Sequence, residues 1–319
     1  MIDKNSRNIS FTRQLAILLG LIGAGVVLAA VISAGVWIAM TGRPLLSMGN
    51  DLLNPKYYDA IMWIQGISTF FMFFLPVYLF ALICYRNPSK FIGFNTNFNV
   101  RQIVIVLFIV ILTFPLSGAL AELNKVIPIP KNWQIYFKEK EAERALQEAA
   151  LININSFYRY VISMVMIALL PAVFEEVCFR GGIQNILTRW FKGPWVAIIL
   201  TAIIFSAVHV SYYGFLVRFA LGIILGFVFY YSGSLWLSIL VHFLYNGLQV
   251  SALYFATVAH NKPSKDIEAN FPLWAGVIAL ALIIYAFVYF RKISLAQQQK
   301  YVMPEEDPDD FHNWITKES

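Results

Sequence analysis

Long, unbroken apolar runs constrain this chain more than any other feature. A bilayer core of about 30 Å is crossed by about 20 apolar residues rising 1.5 Å each. The sequence offers eight such runs: 15–40, 61–85, 103–123, one from near Tyr158 into Phe174–Arg180, 194–210, 215–231, 234–258 and 273–290. The fifth and sixth are short. None shows the apolar/polar alternation of a barrel strand, so helices are predicted. The fold class expected is all-α, a polytopic integral membrane protein with about eight transmembrane helices. Composition points the same way. Of 319 residues, 59% are hydrophobic and 13% charged, with a mean hydropathy of +0.66. A soluble domain carries about 25% charged residues, so these few charges cannot coat a soluble surface. Two cysteines, Cys84 and Cys178, exclude a disulfide scaffold.

Lys4, Arg7 and Arg13 precede the first run. That run is far longer than the roughly 7–15 apolar residues of a signal peptide, so a retained anchor is expected. Arg86, Lys90, Arg101, Arg189, Lys192, Arg291 and Lys292 fall on the same side as the N-terminal cations. Both termini are therefore expected in the cytoplasm. The loop after the third run mixes Lys125, Lys131, Lys138, Lys140 and Arg144 with Glu139, Glu141, Glu143 and Glu148, and reads as a solvated amphipathic helix. The net charge of +6 sits in membrane-flanking loops. It forms no basic stripe, so nucleic acid is not an expected partner. The organisation predicted is an N-terminal tail (1–14), three accessory helices with a long polar loop (15–157), a helical core (158–258), a last helix (259–292) and an acidic cytoplasmic tail (293–319). That tail opens with a glutamine run and continues through Pro304–Asp310. No internal repeat of the kind that marks transporters is present.

Ionisable residues within apolar helices are costly and usually face a cavity or a partner. Three stretches carry them: Glu175–Glu176 with Arg180, Phe205 with His209, and His242 with Asn246. The sharpest break between the fourth and fifth runs is Phe191–Lys192–Gly193–Pro194. Glu175 lies 17 residues before position 192 and His209 lies 17 after it. With regular antiparallel helices both are about 25 Å from the turn, at one depth. The next turn, Ser232–Gly233–Ser234, puts His242 about 12–14 Å into the seventh run, with Asn246 one turn deeper on the same face. Glu176 and Arg180 stand at i and i+4 and can pair. Glu175 is rotated by about 100° from Glu176, so the two carboxylates have different roles. Arg218 reads as a snorkelling interface residue. Gly222 and Gly226 read as a close-packing motif.

Two water-activating chemistries fit this set. A carboxylate and a histidine can take a proton from water while a histidine and an asparagine donate to an oxyanion. Alternatively, Glu175, His209 and His242 could bind zinc. The zinc-protease signature His-Glu-x-x-His and the serine elbow Gly-x-Ser-x-Gly are both missing. A proton- or ion-coupled transporter and a non-catalytic membrane scaffold or immunity protein are the rival readings.

The ordered set Glu-Glu-x-x-x-Arg, Phe-x-x-x-His and His-x-x-x-Asn resembles the CAAX protease and bacteriocin-processing (CPBP, or Abi) family of intramembrane endopeptidases. That family includes the Ras-converting prenyl-protein proteases. Gly181 and Gly233–Ser234–Leu235–Trp236 add to the resemblance, which covers roughly 158–250. It implies an eight-helix fold and cleavage near the cytoplasmic side of the bilayer. The substrate implied is a membrane protein or lipidated peptide. By the same resemblance Glu175 is the base, His209 its partner on the water, His242 and Asn246 the oxyanion donors, and Glu176 and Arg180 supporting residues. No cofactor is expected from it, with a divalent metal such as zinc as the open alternative.

Overall fold

The computed structural model describes residues 3, 6–52, 54–151, 154, 156–260 and 271–299. The described residues contain no strand. Among the described residues nine longer helices carry the fold: α1 (Phe11–Thr41), α2 (Pro55–Cys84), α3 (Val100–Val126), α4 (Lys131–Leu151), α5 (Phe157–Phe191), α6 (Pro194–Ala207), α7 (Phe215–Ser232), α8 (Leu235–His260) and α9 (Leu273–Gln299). Each of the eight apolar runs falls on a helix. Seven of these are long and apolar enough to cross a membrane. The fifth run is α6, whose 14 residues reach only about 21 Å. The chain is a multi-pass, all-α membrane protein.

Local chemistry sets the boundaries. Ser10 and Ser156 cap α1 and α5 by accepting from backbone N–H groups three residues on. Asn99 and Gln102 close a reciprocal capping box on α3. The break between α5 and α6 lies where the sequence places it. Lys192 turns left-handed with φ 52°, and Pro194 opens α6. Gly233, with φ 65°, ends α7.

Two of the helices are not regular. α2 widens into a π stretch at Phe70–Phe74 and α5 into another at Met164–Leu169. Each is followed two residues on by a proline, Pro76 or Pro171. A proline ring collides with the carbonyl four residues back and offers no N–H, and an extra residue in the turn relieves both problems. A second π stretch in α5, Val177–Gln184, has no proline behind it and begins directly after Glu176. Wide turns of this kind are frequent at functional sites.

α5 and α7 are the inner helices, and half of the apolar window of each is buried. One apolar cluster joins α1, α2, α5 and α6, another joins α3, α8 and α9, and α7 contributes to both. The Gly222/Gly226 motif of α7 lies against α6, as its spacing predicts. A methyl group at Gly222 would come within 2.9 Å of Ala202, and one at Gly226 within 2.8 Å of Ile198.

Two readings need correction. The glutamine run after Lys292 continues α9 and docks. Ser294 accepts from Gln102 at 2.9 Å, Gln297 accepts from Asn99 at 3.1 Å, and Gln298 donates to the Tyr231 carbonyl at 2.9 Å. Composition suggested a tail because it cannot register partners on α3 and α7. The second correction concerns α4, which is mostly exposed, as expected, yet its residues 137, 141 and 144 touch the turn after α6. The acidic stretch Pro304–Asp310 lies outside the described residues.

Candidate active site

A buried polar cluster sits between α5, α7 and α8, and Glu176 is at its centre. The Glu176 side chain is fully buried. Its Oε1 accepts from Arg180 Nη1 at 2.7 Å and from His242 Nδ1 at 3.0 Å, and its Oε2 accepts from Ser238 Oγ at 2.5 Å. Arg180 is equally buried. Its Nη2 donates to the Gly222 carbonyl at 3.0 Å, and its guanidinium stacks 4.8 Å from the Phe205 ring centroid. Gln184, one turn on, donates to the Gly226 carbonyl at 2.9 Å. The two glycines thus expose α7 backbone to polar side chains of α5. The Glu176 and Arg180 charges are tolerated here because each has its counter-charge and a further hydrogen-bond partner beside it; removing one partner of such a pair costs about 3–5 kcal/mol.

The two adjacent carboxylates part as the sequence requires. Glu176 is tied by Arg180. Glu175 points elsewhere, is 12% exposed, and places Oε2 at 3.9 Å from His242 Nε2. His242 therefore lies between both glutamates. Glu176, paired with a guanidinium, is a carboxylate and can only accept, so Nδ1 of His242 donates to it. This fixes the ring and leaves Nε2 as the atom turned toward Glu175. Protonated, Nε2 donates to an oxyanion; unprotonated, it accepts from water.

His209 reaches the cluster through Phe205, whose ring lies edge-on to both imidazoles, 5.1 Å from His209 and 6.0 Å from His242. The Nδ1 of His209 donates to the Phe205 carbonyl at 2.7 Å, which again leaves Nε2 for the site. His209 makes no hydrogen bond to Glu175. It stands two residues beyond the end of α6, in the turn 208–214, not on the helix itself. Asn246 follows His242 by one turn of α8 and is half-buried, and its side chain has no hydrogen bond among the described residues. No group of three His, Cys, Asp or Glu side chains that could hold a metal ion is found among the described residues.

These groups occupy one stretch of the chain. Residues 157–248 match the family model described as type II CAAX prenyl endopeptidase Rce1-like. The resemblance read from the motifs stands, and the matched segment holds the whole cluster. The chain is also 26% identical over 116 residues to a Bacillus subtilis (strain 168) protein named uncharacterized protein YpbD. That stretch covers 35% of this chain and 57% of the relative, so the chain spans little more than half the relative's length. No solved structure gives a significant match.

Two participants escape the motif reading. Ser238 is one turn before His242 on the same face of α8, and that spacing was the available signal. Arg218 does not simply snorkel: its Nη1 is buried, packed against the backbone of Gly214 in the turn before α7. Its position three residues into α7 gave an interface reading because sequence does not show which way a helix is rotated.

Proposed function

We propose that the chain is an intramembrane endopeptidase that hydrolyses a peptide bond of a membrane-associated or lipidated substrate without a covalent enzyme intermediate. Water held between Glu175 and His209 Nε2 loses a proton to the Glu175 carboxylate as its oxygen attacks the scissile carbonyl carbon. The tetrahedral oxyanion is met by His242 Nε2–H and the Asn246 amide. Glu175 then returns its proton to the amide nitrogen as the carbon–nitrogen bond breaks. The products are a carboxylate and an amine. Glu176, Arg180 and Ser238 hold His242 in register.

The observation that carries this reading is the placement of His242 between a fully neutralised Glu176 and a partly exposed Glu175, at 3.0 and 3.9 Å. One carboxylate is spent on structure and the other faces an imidazole across a gap. The test uses purified full-length protein in detergent and a farnesylated CAAX peptide. Glu175→Gln and His209→Ala should each lower cleavage by about 10²–10⁴-fold, the range of a general base, while the helical content and melting temperature stay close to wild type. Full activity of either variant overturns the assignment.

A further inference from the structure

The turn that carries His209 is strained. Val210, the next residue, has φ 48°. That is the left-handed region, where a β-branched side chain is a marked outlier. Such a conformation persists only where the surroundings over-determine it. Here they do so from two directions. From α3, Asn124 donates to the Tyr212 carbonyl at 2.8 Å and accepts from the Leu216 N–H at 3.1 Å. From α4, Arg144 Nη2 donates to the His209 carbonyl. Also from α4, Glu141 accepts from Ser211 Oγ at 3.1 Å, and Phe137 stacks on Tyr212 with centroids 5.3 Å apart.

Positions 137, 141 and 144 follow the i, i+4, i+7 pattern of one helix face. All three meet the same short turn. The other residues of α4 across 131–146 are largely exposed, Trp133 and Ile135 included. α6, with 14 residues, is only about 21 Å long, and α4 meets the turn that follows it through positions 137, 141 and 144. The carbonyl that Arg144 binds belongs to the peptide joining His209 to Val210, so this contact governs both the strained dihedral and the direction of the histidine.

We propose that α4 clamps the His209 turn and that Arg144 is a positioning residue, holding His209 in the orientation hydrolysis needs. This rests on the hydrolase reading above. It adds to it an element, 131–151, that lies outside the segment matched to the family.

The test pairs two measurements on full-length protein in detergent: amide hydrogen exchange, and cleavage of a farnesylated CAAX peptide. In Arg144→Gln, exchange across 208–214 should rise about tenfold or more while α8 keeps its protection, as for a local opening. The kcat should fall about tenfold to a hundredfold, as for a misaligned catalytic group, with KM within about twofold. Arg144→Lys, which keeps a cationic donor, should recover most of the kcat. Adding Val210→Gly to Arg144→Gln should also raise kcat, because glycine adopts the left-handed turn without strain. Unchanged exchange at 208–214 overturns the clamp, as does a loss of kcat accompanied by faster exchange in every helix. If Arg144→Gln does not fold, Ser211→Ala removes the second tie and is read the same way. If wild type cleaves no peptide, the hydrolase reading fails, and exchange at 208–214 decides the clamp independently.

Discussion

Arg180 and Arg189 stand nine residues apart on α5 and look alike at first sight. Both are buried, both face a carboxylate, and both bond a backbone carbonyl and cover an aromatic ring. Arg180 has Glu176 at 2.7 Å, the Gly222 carbonyl at 3.0 Å and the ring of Phe205. Arg189 has Asp3 at 3.2 Å, the Asn185 carbonyl at 3.3 Å and the rings of Tyr85 and Phe91. The difference lies in what else each carboxylate holds. Asp3 also accepts from Gln14 Nε2 at 3.0 Å and from the Tyr85 hydroxyl at 3.1 Å, two neutral donors. That network staples the N-terminal segment to α1, α2 and α5. Glu176 spends its remaining lone pairs on Ser238 and His242, and His242 passes the network on to Glu175. A buried charge therefore does not by itself mark a site in a membrane protein. What marks it is a network that ends on a proton-carrying atom beside a second carboxylate.

The comparison breaks most easily at its strongest member. Arg180→Ala leaves Glu176 buried without its countercharge, and a loss of about 3–5 kcal/mol is expected. Melting in detergent should show a large drop, and cleavage should vanish with it because His242 loses its anchor. A well-folded, active Arg180→Ala would mean that the two arginines do the same job. Asp3→Asn sharpens the contrast from the other side. It keeps the shape but weakens the charge-assisted bonds to Arg189, for a cost of about 1.5–3 kcal/mol. The melting temperature should fall, while cleavage per folded molecule stays within about twofold of wild type, the expectation for a region remote from the chemistry. A selective loss of kcat in Asp3→Asn would join the two networks into one.

Much of this architecture is legible in the sequence because hydropathy and helix rise are enough to place it. The eight apolar runs all become helices, and both turns used to estimate depth, at 191–194 and 232–234, sit where glycine, proline and a left-handed residue put them. The tie between Glu176 and Arg180 follows from i, i+4 spacing. The widened turn at Val177–Gln184 does not follow from any spacing rule. Proline betrays the other two π stretches, whereas this one forms without that signal. Ser238 and the clamp of α4 were hidden for a related reason. Sequence periodicity gives the face of a helix but not the neighbour it meets, and serine, glutamate and arginine are unremarkable until their partners are known.

Ser238 supplies the finest probe of the comparison, because it separates holding the cluster together from tuning it. Its hydroxyl donates to Glu176 Oε2 and lies 3.2 Å from the Leu225 carbonyl, so it bridges α8 to α5 and α7. Within a membrane such an interhelical bond contributes about 0.6–2 kcal/mol. Ser238→Ala should therefore fold, with a modest fall in melting temperature. Its effect on catalysis should exceed its effect on stability. The freed Oε2 lets the Glu176 carboxylate rotate, and His242, bonded to the same carboxylate through Oε1, rotates with it. A displaced Nε2 no longer meets the developing oxyanion squarely, so kcat should drop about tenfold while KM holds. Ser238→Thr, which keeps the hydroxyl on the same face, should restore it if the added methyl group is accommodated. Equal losses in kcat and in stability for the alanine variant would place Ser238 with Asp3, as a staple, and would leave Arg180 as the only link between the structural charges and the chemistry.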